Sequence, residues 1–237
     1  MYCDMHIHSC LSPCGEDEML PNDIVRMALI NGLEMIAVCD HNSCANVPAV
    51  MAAAEKAGLI VVPAMELCTA EEVHILCYFI DIRQALSFSN YVYEKLPAVQ
   101  NVPRIFGNQL VCDEKDQVVS SIEKLLTNAS EISLEELPLL MEQYGGTAIP
   151  AHIEKGSNSI LSNLGFLPPE FPFATTEIFN FSEFEKSKKR YPELSKLKTL
   201  KNSDAHRLTD ISERQQSLSL RENTAAAFVS YLKEDLS

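Results

Sequence analysis

Six histidines are notable in this 237-residue chain because each lies within or just after a short apolar, strand-like run. Five of them follow or end their run. The carboxyl ends of parallel strands meet at one edge of an α/β fold, so these side chains are expected to converge although they are far apart in sequence. Neutral imidazole is a strong ligand for zinc, iron and manganese, and the pattern therefore predicts a metal-binding edge. The histidines are His6, His8, His41, His74, His152 and His206.

Two of the runs carry pairs of candidate ligands spaced two residues apart. His6 and His8 flank Ile7, and Asp204 and His206 repeat the spacing near the end of the chain. Residues two apart on a strand share one face, so each pair can chelate one ion while Ile7 turns to the core. Carboxylates can bridge two ions and lower their mutual repulsion. The acidic residues next to the histidines are Asp40, Glu66 and Asp204.

Strand-like runs alternate with helix-period segments along most of the sequence, which favours a parallel sheet with right-handed crossovers. Seven runs are found, and they are MYCDMHIH, LEMIAVCDH, LIVVPAMEL, EVHILCYFI, GGTAIPAH, ATTEIFN and LKTLKNSDAH. Helices are predicted over 21–31, 47–57, 81–93, 134–143 and about 223–233. Pro21 suits a first helical position, and Gly32 and Gly58 stand where helices should end.

The stretch from about 87 to 127 interrupts this alternation. Within it, NQLVCDEKDQVV predicts a small hairpin turning at 113–116. The length and the 46% hydrophobic content are compatible with one α/β domain over 1–237, with 87–127 as an insertion. The only prominent charge run, EFEKSKKR, ends at Arg190.

Composition narrows the compartment and the partners. The formal charge of −14 disfavours tracking of a long phosphate backbone, although a short nucleotide remains compatible. No apolar run approaches the roughly 20 residues of a membrane span, so we expect a cytoplasmic protein without a membrane partner. The cysteines lack C-x-x-C spacing, which indicates reduced thiols. They are Cys3, Cys10, Cys14, Cys39, Cys44, Cys68, Cys77 and Cys112.

The ordered set of motifs resembles the PHP family, named for polymerase and histidinol phosphatase. The motifs are HIH (His6, His8), CDHN (Asp40, His41), AMEL (Glu66), VHILCY (His74), AH (His152) and SDAH (Asp204, His206). The resemblance implies a distorted (β/α)7 TIM-like barrel with two or three divalent metal ions, zinc, manganese or iron, at the carboxyl ends of the strands.

The resemblance also implies how the ligands are divided among the ions. A first ion would be held by His6, His8, Glu66 and Asp204. Glu66 would bridge to a second ion held by His74 and His152. A third ion would use His41, His206 and one ligand from the loop after the first strand.

That loop departs from the commoner family form. The position of the expected acid is Pro13, and the loop offers Cys14, Glu16, Asp17 and Glu18 instead. Glu18 is the preferred candidate because it stands nearest the helix start. The alternatives are ligation by Cys14, a partly empty third site, or acids that merely favour the helix dipole.

Two further residues have more than one interpretation. His74 lies near the start of its run, so either the segment from Glu66 to His74 is a tight excursion or His74 is structural. Asp40 is predicted to orient a metal-bound imidazole, with a turn-capping aspartate as the alternative.

A cluster of divalent ions lowers the pKa of bound water and holds the oxygens of a displacement at phosphorus. The predicted activity is therefore hydrolysis of a phosphoester in a small phosphorylated metabolite or nucleotide by metal-activated hydroxide. Asp204, His206 and His41 are assigned to catalysis, and Lys155 and Arg207 to phosphate binding. The alternatives are another metal-dependent hydrolase, acting on an amide or lactone, or a non-catalytic metal-binding module.

Overall fold

The computed structural model describes residues 1–168 and 172–234. The strands are β1 (Tyr2–Ile7), β2 (Met35–Val38), β3 (Ile60–Val61), β4 (Ala64–Cys68), β5 (His74–Phe79), β6 (Leu110–Cys112), β7 (Val118–Ser121), β8 (Gly146–Pro150), β9 (Thr175–Ile178), β10 (Lys198–Lys201) and β11 (Gln216–Ser217). The helices are α1 (Pro21–Ile30), α2 (Val47–Ala57), α3 (Ile82–Lys95), α4 (Pro103–Phe106), α5 (Leu137–Gln143), α6 (Ile160–Asn163), α7 (Phe181–Arg190) and α8 (Ala225–Lys233). No helix in these ranges is long and apolar enough to cross a membrane.

The strands follow one another around a ring. β1, β2 and β3 are parallel neighbours, β4, β5 and β8 form a second sheet, and β9 pairs in parallel with β10. Isolated bridges join Ile7 to Ala205 and His41 to Glu66, at the edge where the histidines converge. Within the described ranges the ladders stay separate, so the sheets are not closed by continuous hydrogen bonding. The fold is mixed α/β, as predicted, with its strands in the order of a distorted barrel.

One strand runs against the predicted parallel winding. β5 is antiparallel to both β4 and β8, and Cys68 lies opposite His74. The reason is the short turn after β4, which reverses the chain before a helix can form. The start of β5 therefore lies at the same edge as the carboxyl end of β4, and the segment from Glu66 to His74 is a tight excursion.

Most predicted elements are present with shifted ends. α2 has the predicted bounds, and the left-handed Gly58 (φ 72°) follows its end. The 113–116 turn joins β6 and β7 as an antiparallel hairpin. The charge run before Arg190 belongs to α7, a helix that the sequence interpretation missed; its buried side consists of Phe184 alone, too little to give an apolar period.

The core has layers on both sides of the strands. Cys3 and Met5 of β1 belong to the inner cluster, which Phe228 of α8 closes from below. Ile7 lies instead in the cluster between the sheet and helices α1 and α2, with Ile24. Ile7 is thus buried opposite the histidines that flank it, as its spacing predicts.

Candidate metal centre

The strand ends bring all six histidines together around two carboxylates. β1 supplies His6, and His8 follows it directly. The segment after β2 supplies His41, and the start of β5 supplies His74. His152 follows β8, and Asp204 and His206 follow β10. Each member is at least partly buried: His6, His8, His41, Glu66 and His152 are buried, and His74, Asp204 and His206 are intermediate.

Glu66 is the middle of the cluster, and its two oxygens face five imidazoles. Oε1 lies 2.9 Å from His74 Nδ1, 3.3 Å from His152 Nε2 and 3.6 Å from His6 Nε2. Oε2 lies 3.0 Å from His41 Nδ1 and 3.4 Å from His8 Nε2. Although buried, Oε1 accepts no hydrogen bond of good geometry within the protein.

Asp40 and Ser12 fix the proton of His8. Ser12 Oγ donates to Asp40 Oδ1 at 2.7 Å, and its one proton is thereby used. The 2.9 Å contact between Ser12 Oγ and His8 Nδ1 must then have the imidazole as donor. The lone pair of His8 is left on Nε2, which points into the cluster.

Glu177, in β9, does the same for His6 and was missed at the sequence level. It is 2% exposed, and its Oε1 lies 3.0 Å from His6 Nδ1. It also accepts from the His152 backbone N–H at 2.9 Å and from Asn202 Nδ2 at 2.8 Å. A carboxylate inside an apolar strand, as in ATTEIFN, was the available signal, since unpaired buried charges are rare.

These hydrogen bonds produce a site that fits a cation. With Nδ1 of His6 and His8 protonated, their Nε2 atoms present lone pairs 3.1 Å apart. Asp204 Oδ1 lies 3.4 Å from the first and 3.2 Å from the second. Lone pairs and carboxylate oxygens repel one another at this spacing unless a proton or a metal ion lies between them.

The pKa directions agree with that need for positive charge. Burial alone would lower the pKa of His6, but the charges of Glu177, Asp204 and Glu66 outweigh it and raise the pKa well above the ordinary value. Burial lowers the pKa of His8 to about 3, which keeps its imidazole neutral and able to bind a metal.

Three groups of ligand atoms in the described residues are compact enough to hold an ion, with all atoms of a group within 4.8 Å. They are His6, His8 and Glu66; His41, Glu66 and His74; and His8, Cys14, His41 and His206. The division implied by the family resemblance was different, because it joined His74 with His152 and placed Glu18 with His41 and His206.

Some of the remaining predicted residues line the cavity, and others lie outside it. Lys155 Nζ donates to Asp204 Oδ2 at 2.7 Å and lines the cavity above the cluster. Arg207 lies outside it, where its Nε pairs with Glu16 Oε1 at 3.0 Å. Glu18 is exposed and belongs to none of the three groups, whereas Cys14 lines the cavity.

The cavity is open and holds about 170 Å³. Two residues that border it, His152 (φ 28°) and Asp204 (φ 54°), have the left-handed backbone that non-glycine residues rarely adopt. Strain of this kind persists where the surrounding structure fixes the backbone, which is common at functional sites.

The family assignment follows from the sequence comparison. The model of the PHP domain matches residues 4–164, about two thirds of the chain. The chain belongs to the PHP family. The resemblance seen in the motifs is thereby confirmed. No match was found among curated protein sequences.

Solved structures share the fold of this PHP chain at low sequence identity. Endonuclease Q from Pyrococcus furiosus, a lesion-specific endonuclease, has a TM-score of 0.66 and 16% identity, and the match covers 98% of this chain. The chain spans only 55% of the length of that protein. A protein assigned as a metal-dependent phosphoesterase from Bifidobacterium adolescentis has a TM-score of 0.60 and 18% identity, with 99% of this chain and 97% of that one covered.

One of these comparisons overturns the predicted partners. Endonuclease Q has also been solved in complex with a 27-mer duplex that has an abasic lesion at the active site. It matches this chain with a TM-score of 0.64 and 16% identity, and the match covers 98% of this chain and 56% of that one. The expectation of a small phosphorylated substrate and no long nucleic acid is therefore wrong. Its physical error was to use the net charge of −14, because charge near the site decides binding while the total includes remote acids.

Proposed function

We propose that this PHP protein is a metal-dependent phosphoesterase that cleaves a phosphodiester of a nucleic-acid strand. The observation that carries the proposal is the cluster around Glu66, whose convergent lone pairs fit two or three ions under an open cavity. Mixed imidazole and carboxylate sites of this kind accept zinc, manganese and iron. When bound, such ions activate water and hold phosphate oxygens during hydrolysis.

The residues of the chain then have distinct tasks. His6, His8, Glu66, His74, His152 and Asp204 hold the ions, and Glu177 and Asp40 orient the imidazoles of His6 and His8. Lys155 supplies a fixed positive charge at the cavity, because its Nζ is held by Asp204 and cannot swing freely. Charge-assisted contacts to phosphate are strongest when the donor is already positioned. His41, Asp204 and His206 line the cavity and are the groups proposed for catalysis.

A cationic and aromatic surface next to the cavity supports the nucleic-acid substrate. We call it the Phe179 surface, and it consists of Lys155, Phe179, Phe181, Lys186, Arg190 and Lys201. The Phe179 ring is 43% exposed, with Lys155 Nζ 4.8 Å and Lys201 Nζ 5.0 Å from its centre. Exposed rings stack on bases and cations hold the backbone in proteins that bind single strands.

The surface is continuous with the metal centre. A second cavity of about 320 Å³ is lined by Lys155, Lys186, Arg190 and Tyr191, and Lys155 also lines the first cavity. Of the acids there, Glu154 accepts the Phe179 backbone N–H at 2.6 Å, and Glu183 pairs with Lys186 at 2.6 Å. Glu183 and Lys186 therefore balance each other, and the remaining cations of the surface, Lys155, Arg190 and Lys201, outnumber Glu154.

The proposal is tested with the protein reloaded with manganese or zinc and three labelled substrates. They are a single-stranded oligonucleotide, a duplex with an abasic site, and p-nitrophenyl phosphate as a small monoester. We expect cleavage of an oligonucleotide, with kcat/KM falling as salt rises because phosphate contacts release counterions. A double variant, Phe179→Ala with Arg190→Glu, should raise KM for the oligonucleotide. Lys56→Glu on the remote end of α2 is the control. Turnover of the monoester alone would contradict the proposed substrate class.

A further inference from the structure

Cys14 lies where the sequence departs from the family pattern, at the mouth of the metal cavity. Its Sγ and a ring nitrogen each of His8, His41 and His206 all lie within 4.8 Å of one another. The cluster therefore contains a third kind of donor, a thiol, besides its imidazoles and carboxylates.

The loop after β1 is built so that this thiol faces the cluster. Successive turns place the Ser12 N–H on the Ser9 carbonyl at 3.1 Å and the Gly15 N–H on the Ser12 carbonyl at 2.8 Å. The Glu16 N–H then donates to the His206 carbonyl at 3.0 Å, which ties the loop to the last strand segment. A Cβ at Gly15 would come within 2.8 Å of the Ser9 carbonyl oxygen, so this path requires glycine.

The histidines of this group differ in how available they are. His8 is fully buried, and its Nε2 already faces His6 and Asp204. His41 and His206 line the open cavity together with Cys14. The Nδ1 of His206 contacts the Asp204 carbonyl oxygen at 2.7 Å, so Nδ1 carries the proton and Nε2 the lone pair.

We infer that Cys14, His41 and His206 bind a further divalent ion, with the Cys14 thiolate as the loop ligand that replaces the carboxylate expected from Glu18. The inference rests on the metal centre of the proposed function. Catalytic zinc sites have three protein ligands and one open position, and thiolates and imidazoles are among their usual ligands. Thiolate is a soft ligand, so this position selects zinc or cobalt over manganese, in contrast to the carboxylate-rich positions around Glu66.

Cobalt titration of the metal-free protein tests the assignment without any substrate. We expect the near-ultraviolet charge-transfer band of a thiolate bound to cobalt in the wild type. Cys14→Ser should lose the band and bind one ion fewer per chain. Cys14→Asp should restore the ion count without restoring the band. The restored ion count would show that a substitution at this position leaves the site folded. Cys77→Ala, in which a cysteine of β5 outside the cluster is removed, should keep both the band and the ion count.

The outcomes separate this inference from the proposed function. A band in wild type that survives Cys14→Ser, or no band at any cobalt loading, would overturn the assignment of Cys14, whether or not the protein hydrolyses phosphoesters. A band that depends on Cys14 in a protein without phosphoesterase activity would support the thiolate ligand and contradict the proposed function.

Discussion

His6 Nδ1 lies 3.0 Å from Glu177 Oε1, and both side chains are almost completely buried. The carboxylate can only accept, so it holds the imidazole with its proton on Nδ1 and its lone pair on Nε2, toward Glu66. A histidine at the end of β1 thus depends on a glutamate in β9, which is distant in sequence. Hydrogen-bond partners of this kind tune metal affinity without touching the ion.

Glu177→Gln should weaken metal binding while leaving the fold in place. The amide can turn either an oxygen or an NH₂ group toward His6, so the tautomer is no longer enforced. We expect affinity for the first ion to fall about 10- to 100-fold, as measured by competitive metal titration. Glu55→Gln, on the exposed side of α2, is the matched control. An unchanged affinity in Glu177→Gln would show that His6 does not depend on this carboxylate.

Asp40→Ala should destabilise the protein even without metal. Asp40 is fully buried and accepts from the Ser9 N–H at 2.7 Å, Ser9 Oγ at 2.6 Å and Ser12 Oγ at 2.7 Å. Removal of the acceptor leaves these donors buried without a partner, at a cost of about 3 kcal/mol in the free energy of unfolding. Urea denaturation in the presence of a chelator measures it. Asp23→Ala, at an exposed ion pair of α1, should change stability by less than about 0.5 kcal/mol. A comparable small loss for Asp40→Ala would contradict the predicted network.

Lys155→Met should lower kcat/KM on phosphoesters by about 10- to 100-fold, the range for loss of one charge-assisted hydrogen bond. Burial would lower the pKa of Lys155, but the Asp204 carboxylate outweighs it and raises the pKa, so the side chain stays charged at neutral pH. Lys155→Arg should recover part of the activity because it keeps the charge. Lys189→Met, which replaces an exposed lysine of α7, serves as the control. The result against the prediction is a Lys155→Met enzyme with wild-type kcat/KM.

Thiol labelling of the metal-free protein should be selective and pH-dependent. Cys14 is exposed, whereas the other seven cysteines are buried. Desolvation in the cavity, together with the charges of Glu66, Asp40 and Asp204, raises the pKa of Cys14 to about 12. The thiolate is the reactive form and is a small minority near neutral pH, so labelling should accelerate roughly tenfold per pH unit below the pKa. Mass spectrometry after timed alkylation identifies the site. Fast labelling at pH 7, or labelling of buried cysteines first, would contradict this.

The sequence was sufficient to predict those parts of the fold that depend on local pattern. α2, the β6–β7 hairpin and the burial of Ile7 away from His6 and His8 follow from periodicity and turn residues. α7 was missed because one buried residue, Phe184, gives no period. The antiparallel course of β5 was left open as one of two alternatives for His74, because the short turn over 69–73 carries no clear signal for strand direction.

The candidate site was predictable as a set of residue types but not as a set of contacts. The histidines, Glu66 and Asp204 are marked by their places at strand ends, and the structure brings them together. Glu177 and Ser12 are the partners that fix the protons of His6 and His8. Only the folded chain brings them to these histidines, and a lone glutamate or serine in the sequence does not reveal such a contact. The choice between Glu18 and Cys14 depends on the turn around Gly15, which only the folded loop shows.

Replacement of Glu66, whose two oxygens face five imidazoles, is the most direct test of the metal centre. Hydrolysis of a labelled oligonucleotide is measured for wild type and Glu66→Gln after both are reloaded with manganese or zinc. Circular dichroism confirms that both are folded. We expect turnover by the wild type that a chelator abolishes, and a loss of at least about 10³-fold in Glu66→Gln, because the amide would offer metal ions one oxygen and no charge where the carboxylate offers two oxygens and a negative charge. Turnover by Glu66→Gln at the wild-type rate would contradict it.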